Sequence, residues 1–297
     1  VDTSSGETWR NYEGTLNLNN VDKSNSSSPV SNDNNGTENI KGGNYSYYIT
    51  NYGNLLNIRG AIIKTYYSAI SNSSGTVNIE DTTMESQNNE AIYNSGTGII
   101  NIKNSIVKTR YYSINNWSTG TINVIGTTNI TSTENYGIYN YSTGTITIGE
   151  KDGNVSIETP VITGKTYGIY NNNNNGIFNF YDGVIKGETG AIYGKVNDIE
   201  QDYEIITKTE NGVESKYLAQ LPVAKIVSTN KEYLTLQAAF DESESGDTIQ
   251  LLRNITTLST SQSTTILEEK NVILDLNGYT MNSSIAKTFI NNGTLKI

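Results

Sequence analysis

Catalysis needs side chains that ionise, coordinate or attack, and this chain of 297 residues offers a narrow choice. It has no Cys and no His, which removes thiolate nucleophiles, disulfides, imidazole bases and the commonest transition-metal ligand. Carboxylates, Lys and four Arg (at 10, 59, 110 and 253) remain. A polysaccharide lyase would need carboxylates clustered around calcium, with Arg or Lys as base. A glycoside hydrolase would need two Asp or Glu a few Å apart on adjoining segments. The charged residues that recur at equivalent places do neither. Arg59, Glu80 and Lys103 form one series, and Lys64, Glu85 and Lys108 form another. Each reads plus, minus, plus, the order in which stacked strands pair opposite charges along their outside. Asp81, Asp152 and Asp182 are scattered. The chain therefore reads as non-enzymatic, and no catalytic, cofactor or metal residue is assigned.

Two uncharged sets have the regularity that the carboxylates lack. Asn51, Asn72, Asn94, Asn116, Asn140 and Asn171 each stand two residues after an Ile, and the next copy has Gly194 instead. In a strand, residues two apart share a face. These amides are expected at one corner of a repeating structure, each hydrogen-bonding to the copies above and below. An active site would not be copied six times. The second set is tyrosine, with 21 Tyr against four Phe. Tyr136, Tyr139, Tyr167, Tyr170 and Tyr193 fall at outward places beside the same Ile series, with Tyr111 and Tyr112 nearby. They read first as rings stacked on one another. The alternative is a flat platform for sugar rings or a protein partner.

These sets demand a repeat, and three apolar beats return roughly every 22 residues, a solenoid period. The first beat is Leu56/Ile58, Val77/Ile79, Ile100/Ile102, Ile122/Val124, Ile146/Ile148 and Phe178/Phe180, with Leu16/Leu18 as an earlier copy. The second is Ile40, Ile63, Met84, Val107, Ile130, Ile162 and Ile185, and the third is Ile49, Ile70, Ile92, Ile114, Ile138, Ile169 and Ile192. Apolar and polar residues alternate over three to five positions, which is strand period and too short for helices. Three short strands per turn enclose an apolar column only when stacked on their copies. The expected fold is all-β, a right-handed parallel β-helix over residues 1–195.

Residues 19–37 are expected to be a polar loop protruding from the first coil, and 149–160 a hairpin-like excursion. Residues 196–223 read as a connector in which strands flank Asn211-Gly212 and close the solenoid. From residue 224 to 297, Thr235 can cap a short helix, Leu236-Gln237-Ala238-Ala239-Phe240-Asp241-Glu242, before new strands begin. This is the helix-capped start of a second β-helix.

The stretch Leu236-Gln237-Ala238-Ala239-Phe240, then Gly246-Asp247-Thr248-Ile249-Gln250-Leu251 and Val272-Ile273-Leu274-Asp275-Leu276-Asn277-Gly278, resembles the opening of pectate-lyase-like β-helix domains. Phe180-Tyr181-Asp182-Gly183-Val184-Ile185-Lys186-Gly187 resembles the closing coil of such modules. The resemblance implies a bacterial cell-surface protein of Gram-positive type, adhesin-like, with tandem domains of this fold. That superfamily spans lyases, hydrolases and non-enzymatic adhesins.

Hydrophobic residues make up 35% of the chain, which in a globule leans towards disorder but suffices for a β-helix, where each coil needs few inward residues. Net charge is −10 with no basic run, which argues against nucleic acid, and no apolar stretch reaches membrane-span length. The chain starts at Val1 and stops within another Gly-Thr beat at Gly293-Thr294, as expected of a piece of a longer secreted protein. The expected role is a structural or adhesive module of an extracellular surface protein, meeting host or environmental glycans or surface proteins. A polysaccharide lyase or glycoside hydrolase of the same fold, a carbohydrate-binding module and a fibre or spike are the alternatives.

Overall fold

The computed structural model describes residues 8–172, 175–258, 264–283 and 289–297. The chain divides into two compact units, Val1–Ala219 and Gln220–Ile297. The first is a right-handed parallel β-helix of three sheets. One nine-stranded sheet holds the third beat, from Trp9–Asn11 through Ile92–Asn94 to Gly190–Tyr193. A second nine-stranded sheet holds the first beat, from Thr15–Asn19 through Ile99–Lys103 to Asp198–Ile199. The third sheet has ten strands and runs from Asp22–Lys23 through Ile106–Thr109 to Val184–Gly187, then the hairpin described below.

Register between coils is strict. Ile92 pairs with Ile114, Ile100 with Ile122 and Val107 with Ile130. Because side chains alternate along a strand, this register sends every beat residue inward, and Ile92, Ile100, Ile102, Val107 and Ile114 have no exposed surface. Each inward chain stacks on its copy, so the core is one apolar column whose length grows with coil number.

Three expectations need correction. Ile40 belongs to the first beat, paired with Leu18 and Ile58; the second-beat place in that coil is held by Tyr45, opposite Ile63. Residues 19–37 do not protrude. They contribute the strands Asp22–Lys23 and Val30–Asn32 and form an ordinary coil, with Lys23, Ser26, Ser28, Ser31 and Asn32 buried. Residues 149–160 contain no strand. They form a turn-rich loop tied to the next coil by Asp182, whose carboxylate accepts from the Glu150 and Ser156 amides at 3.1 and 2.6 Å.

The expected hairpin is present, with strands Tyr203–Glu210 and Val213–Gln220 joined through Asn211 and Gly212 at φ 51° and 79°. Positive φ at both turn residues is what a two-residue hairpin of this hand requires. Val213–Gln220 pairs antiparallel with Val184–Gly187, and Tyr203–Glu210 outside it is the edge strand of the third sheet.

The second unit opens with the antiparallel strands Ala224–Ile226 and Lys231–Tyr233. Thr235 then caps the helix Leu236–Glu242, its hydroxyl accepting from the Ala238 amide at 3.2 Å. Leu236, Ala239 and Phe240 turn inward against Ile249, Leu251, Ile266, Val272 and Leu274. Parallel coils follow: Thr248–Leu251 beside Asn271–Asp275 beside Thr294–Lys296, and Thr264–Ile266 beside Phe289–Asn291.

Candidate functional site

The sheet of the third beat carries both predicted residue sets, on opposite faces. In Ile92-Tyr93-Asn94 the Ile and Asn are fully buried while Tyr93 points outward. The inward amides form a continuous chain. Each Nδ2 donates to the Oδ1 one coil on: Asn51 to Asn72 at 2.9 Å, Asn72 to Asn94 at 3.1 Å, then Asn94 to Asn116, Asn116 to Asn140 and Asn140 to Asn171, each at 2.9 Å. The second Nδ2 hydrogen is used within the coil, as from Asn94, Asn116 and Asn140 to the Gly98, Gly120 and Gly144 carbonyls at 2.9 Å. Reversing the Asn72 amide would let it donate to the Ser74 carbonyl at 2.7 Å, but would set two NH2 groups face to face with Asn51 at 2.9 Å. The orientation continuous with the ladder avoids that repulsion.

The ladder extends further than the six predicted residues. Asn11 donates to Asn32 at 3.0 Å and Asn32 to Asn51 at 2.8 Å. A second, outward ladder on the adjoining sheet was missed altogether. Asn39, Asn57, Asn78, Asn101 and Asn123 each donate to the Asn of the preceding coil, at 2.8–2.9 Å. The two ladders thus run in opposite senses. The signal for the second was present in the sequence as the middle Asn of Leu56-Asn57-Ile58, Val77-Asn78-Ile79 and Ile100-Asn101-Ile102.

On the outer face the structure gathers all five predicted tyrosines into one network of ring contacts. Tyr139, Tyr170 and Tyr193 occupy equal places in successive strands. Tyr136 and Tyr167 stand two residues before the inward Ile138 and Ile169. Tyr170 stacks on Tyr193 at 4.3 Å between centroids and 6° between planes, and on Tyr136 at 4.5 Å and 16°. Tyr139 meets Tyr170 edge-on at 5.7 Å, and Tyr167 meets Tyr193 in the same way at 5.7 Å.

Tyr112 joins by stacking on Tyr139 at 5.3 Å, whereas Tyr111 lies outside the network beneath the Arg110 guanidinium. Two members had not been foreseen. Trp117 and Tyr141, each one residue after a ladder Asn, stack on each other at 4.2 Å and 3°, and Tyr141 touches Tyr139 at 5.8 Å. Burial, then the neighbouring tyrosines, pushes the Tyr136 and Tyr170 phenols above their ordinary value, and Tyr139 up to about 12. These phenols are neutral at physiological pH and can donate as well as accept.

Matched against protein-family models, curated proteins and solved structures, the chain finds no counterpart. Its chemistry must be read from its own surface.

The charged columns are where the sequence places them. Arg59 pairs in register with Glu80 and Glu80 with Lys103, and Lys64 pairs with Glu85. Arg59 reaches Glu80 at 3.5 Å and Asp81 at 3.3 Å, and Lys64 reaches Glu85 at 3.0 Å, all substantially exposed. Exposed pairs of this kind contribute about 0.2–1 kcal/mol each. Among the described residues, no group of three or more Asp or Glu is placed to hold a metal ion. One acidic residue is out of character. Glu38 occupies the core place held in the next coil by Leu56, with no exposed surface and no hydrogen bond to either carboxylate oxygen. Desolvation, and secondarily the charge of Asp33, raises its pKa to about 8. The hydroxyl of Tyr45 in the same coil is likewise buried without a partner.

Proposed function

We propose that this chain is a non-enzymatic structural and adhesive module of a secreted bacterial surface protein, a rigid solenoid that presents a ligand-contacting face away from the cell. The observation that carries this reading is the aromatic strip, eight rings in mutual contact on the outside of one sheet. Trp117, Tyr141 and Tyr193 are exposed and the other five rings half-buried, and a contiguous outward aromatic surface of this kind marks an interaction surface. The inner amide ladder supports it, because it holds the strand spacing beneath the rings constant from coil to coil. The partners that fit such a face are host or environmental glycans, or surface proteins. The resemblance to pectate-lyase-like surface modules agrees with this reading.

The test is a glycan and surface-protein binding array run on the wild-type chain and a Tyr136/Tyr139/Tyr167/Tyr170→Ala variant, with circular dichroism on both. Binding lost by a folded variant supports an adhesive face. If the wild type binds neither class, the adhesive part of the reading falls and a plain stalk is left.

A further inference from the structure

The stacking geometry restricts where on the strip a flat ligand can bind. A sugar ring docks on an aromatic by laying its C–H face on the open ring face. Inside the strip those faces are used. Tyr170 lies between Tyr136 and Tyr193 at interplanar angles of 16° and 6°, and the Tyr139 face is taken by Tyr112 at 29°. Tyr170 therefore has no open ring face to offer.

Trp117 differs. Tyr141 covers one indole face, and the equivalent corner of the preceding coil holds only Ser95. The coil before that has Ser73, and an aromatic returns at the same corner only with Tyr52. Two levels, each about 4.8 Å thick, thus carry nothing larger than a hydroxymethyl group beside the indole. Trp117 accordingly keeps 45% of its surface exposed, although its partner is in full stacking contact.

The surroundings specify the chemistry of the occupant. The corners at residues 72–75, 94–98, 116–120 and 140–144 are built from Asn, Ser, Thr, Gly, Trp117 and Tyr141, with no charged residue. The whole chain carries −10, which opposes anionic sugars.

We infer that Trp117 is the strip's ligand platform, and that it takes one neutral pyranose, laid on the indole face above Ser95 as the next ring of the Trp117–Tyr141 stack. This rests on the adhesive reading above and narrows it to one ring and one sugar class. It also explains why Ser95 and Ser73 interrupt the aromatics at that corner. They leave the space that the sugar fills.

The experiment uses the full chain, titrated with neutral gluco-, galacto- and mannopyranosyl tetrasaccharides and with a uronate tetrasaccharide, read by calorimetry and indole fluorescence. Two variants isolate the platform. Trp117→Ala removes it. Ser95→Tyr keeps the indole but adds a ring of the protein's own to its open face, a substitution that continues the existing stack and should preserve the fold. Binding of a neutral tetrasaccharide, weakened by about tenfold or more in both variants at unchanged circular dichroism, is the expected result. Retained affinity in Ser95→Tyr, preference for the uronate, or no binding of any neutral sugar would each overturn the inference. Binding that depends on Tyr136, Tyr139, Tyr167 and Tyr170 but not on Trp117 would overturn it too, while leaving the adhesive face standing.

Discussion

Asn94 donates to Asn116 across one coil at 2.9 Å, although 22 residues of chain separate them. That bond is one link of the buried amide chain, and its neighbours depend on it. Asn94 Oδ1 accepts from Asn72 while its Nδ2 also serves the Gly98 carbonyl, and the site has no exposed surface. Asn94→Ala therefore deletes three hydrogen bonds and leaves a buried donor on Asn72 and a buried acceptor on Asn116, while the Gly98 carbonyl keeps the Thr121 amide at 3.0 Å. Orphaned buried groups cost about 1–3 kcal/mol each before any relaxation. We expect a loss of several kcal/mol in urea unfolding for Asn94→Ala and under about 1 kcal/mol for Asn78→Ala on the half-buried outer ladder. Equal losses at the two sites would refute the distinction.

A glycine beside the ladder gives a second test. A Cβ added to Gly98 would sit 2.1 Å from Asn72 Nδ2 and 3.2 Å from Asn94 Oδ1. Neither amide can move without losing its ladder bond. Gly60 has φ +66°, yet nothing lies within 4 Å of an added Cβ. Gly98→Ala should destabilise by overpacking, about 1–3 kcal/mol or more, and Gly60→Ala by the left-handed penalty alone, about 1–2 kcal/mol. Solubility and thermal melting of the two variants would rank them.

How much of this was legible follows from where the periodicity is clean. From Ile49 onward the apolar beats, the ladder Asn residues and the outward tyrosines could be placed, because coils of similar length repeat a three-to-five-residue alternation. At the amino-terminal end the alternation persists, but the inward residues change type. Lys23, Glu38 and Tyr45 stand where Ile, Leu or Met stand elsewhere, so a search for aliphatic beats took Ile40 into the wrong sheet. The coil at 19–37 looked like a loop for the same reason. Trp117 was overlooked because the ladder draws attention to the Asn that precedes it, and stacking across coils cannot be seen in one dimension.

The tyrosine network predicts its own order of importance. Tyr170 touches Tyr136, Tyr139, Tyr167 and Tyr193, and it differs from the other rings of the strip in stacking near-parallel on two of them, Tyr136 and Tyr193. Aromatic pairs add about 0.5–1.5 kcal/mol each beyond the area they bury. Tyr170→Ala should lower stability by about 2–4 kcal/mol, and Tyr170→Phe should change it little, because the ring contacts survive. A Tyr170→Phe variant as unstable as Tyr170→Ala would mean the hydroxyl, not the stack, holds the strip.

Glu38 makes the stability of the amino-terminal coils depend on pH, in a direction opposite to an ordinary surface carboxylate. Its pKa is raised to about 8 in the folded chain, first by desolvation and then by Asp33, against 4.5 for the free side chain. The folded state therefore holds the proton more tightly than the unfolded one. Below pH 4.5 both states are protonated and the group has no net effect. Between pH 4.5 and 8 the unfolded chain ionises while the folded chain does not, and stability falls by up to about 1.4 kcal/mol per pH unit. Above pH 8 the loss levels off. Glu38→Leu restores the residue type that Leu56 supplies one coil on, and removes the buried carboxyl. Urea unfolding at pH 5, 7 and 9 should show the wild type weakening as pH rises and the variant more stable, with the difference widening up to pH 8. Parallel pH profiles for the two proteins would show that Glu38 is not held neutral in the core.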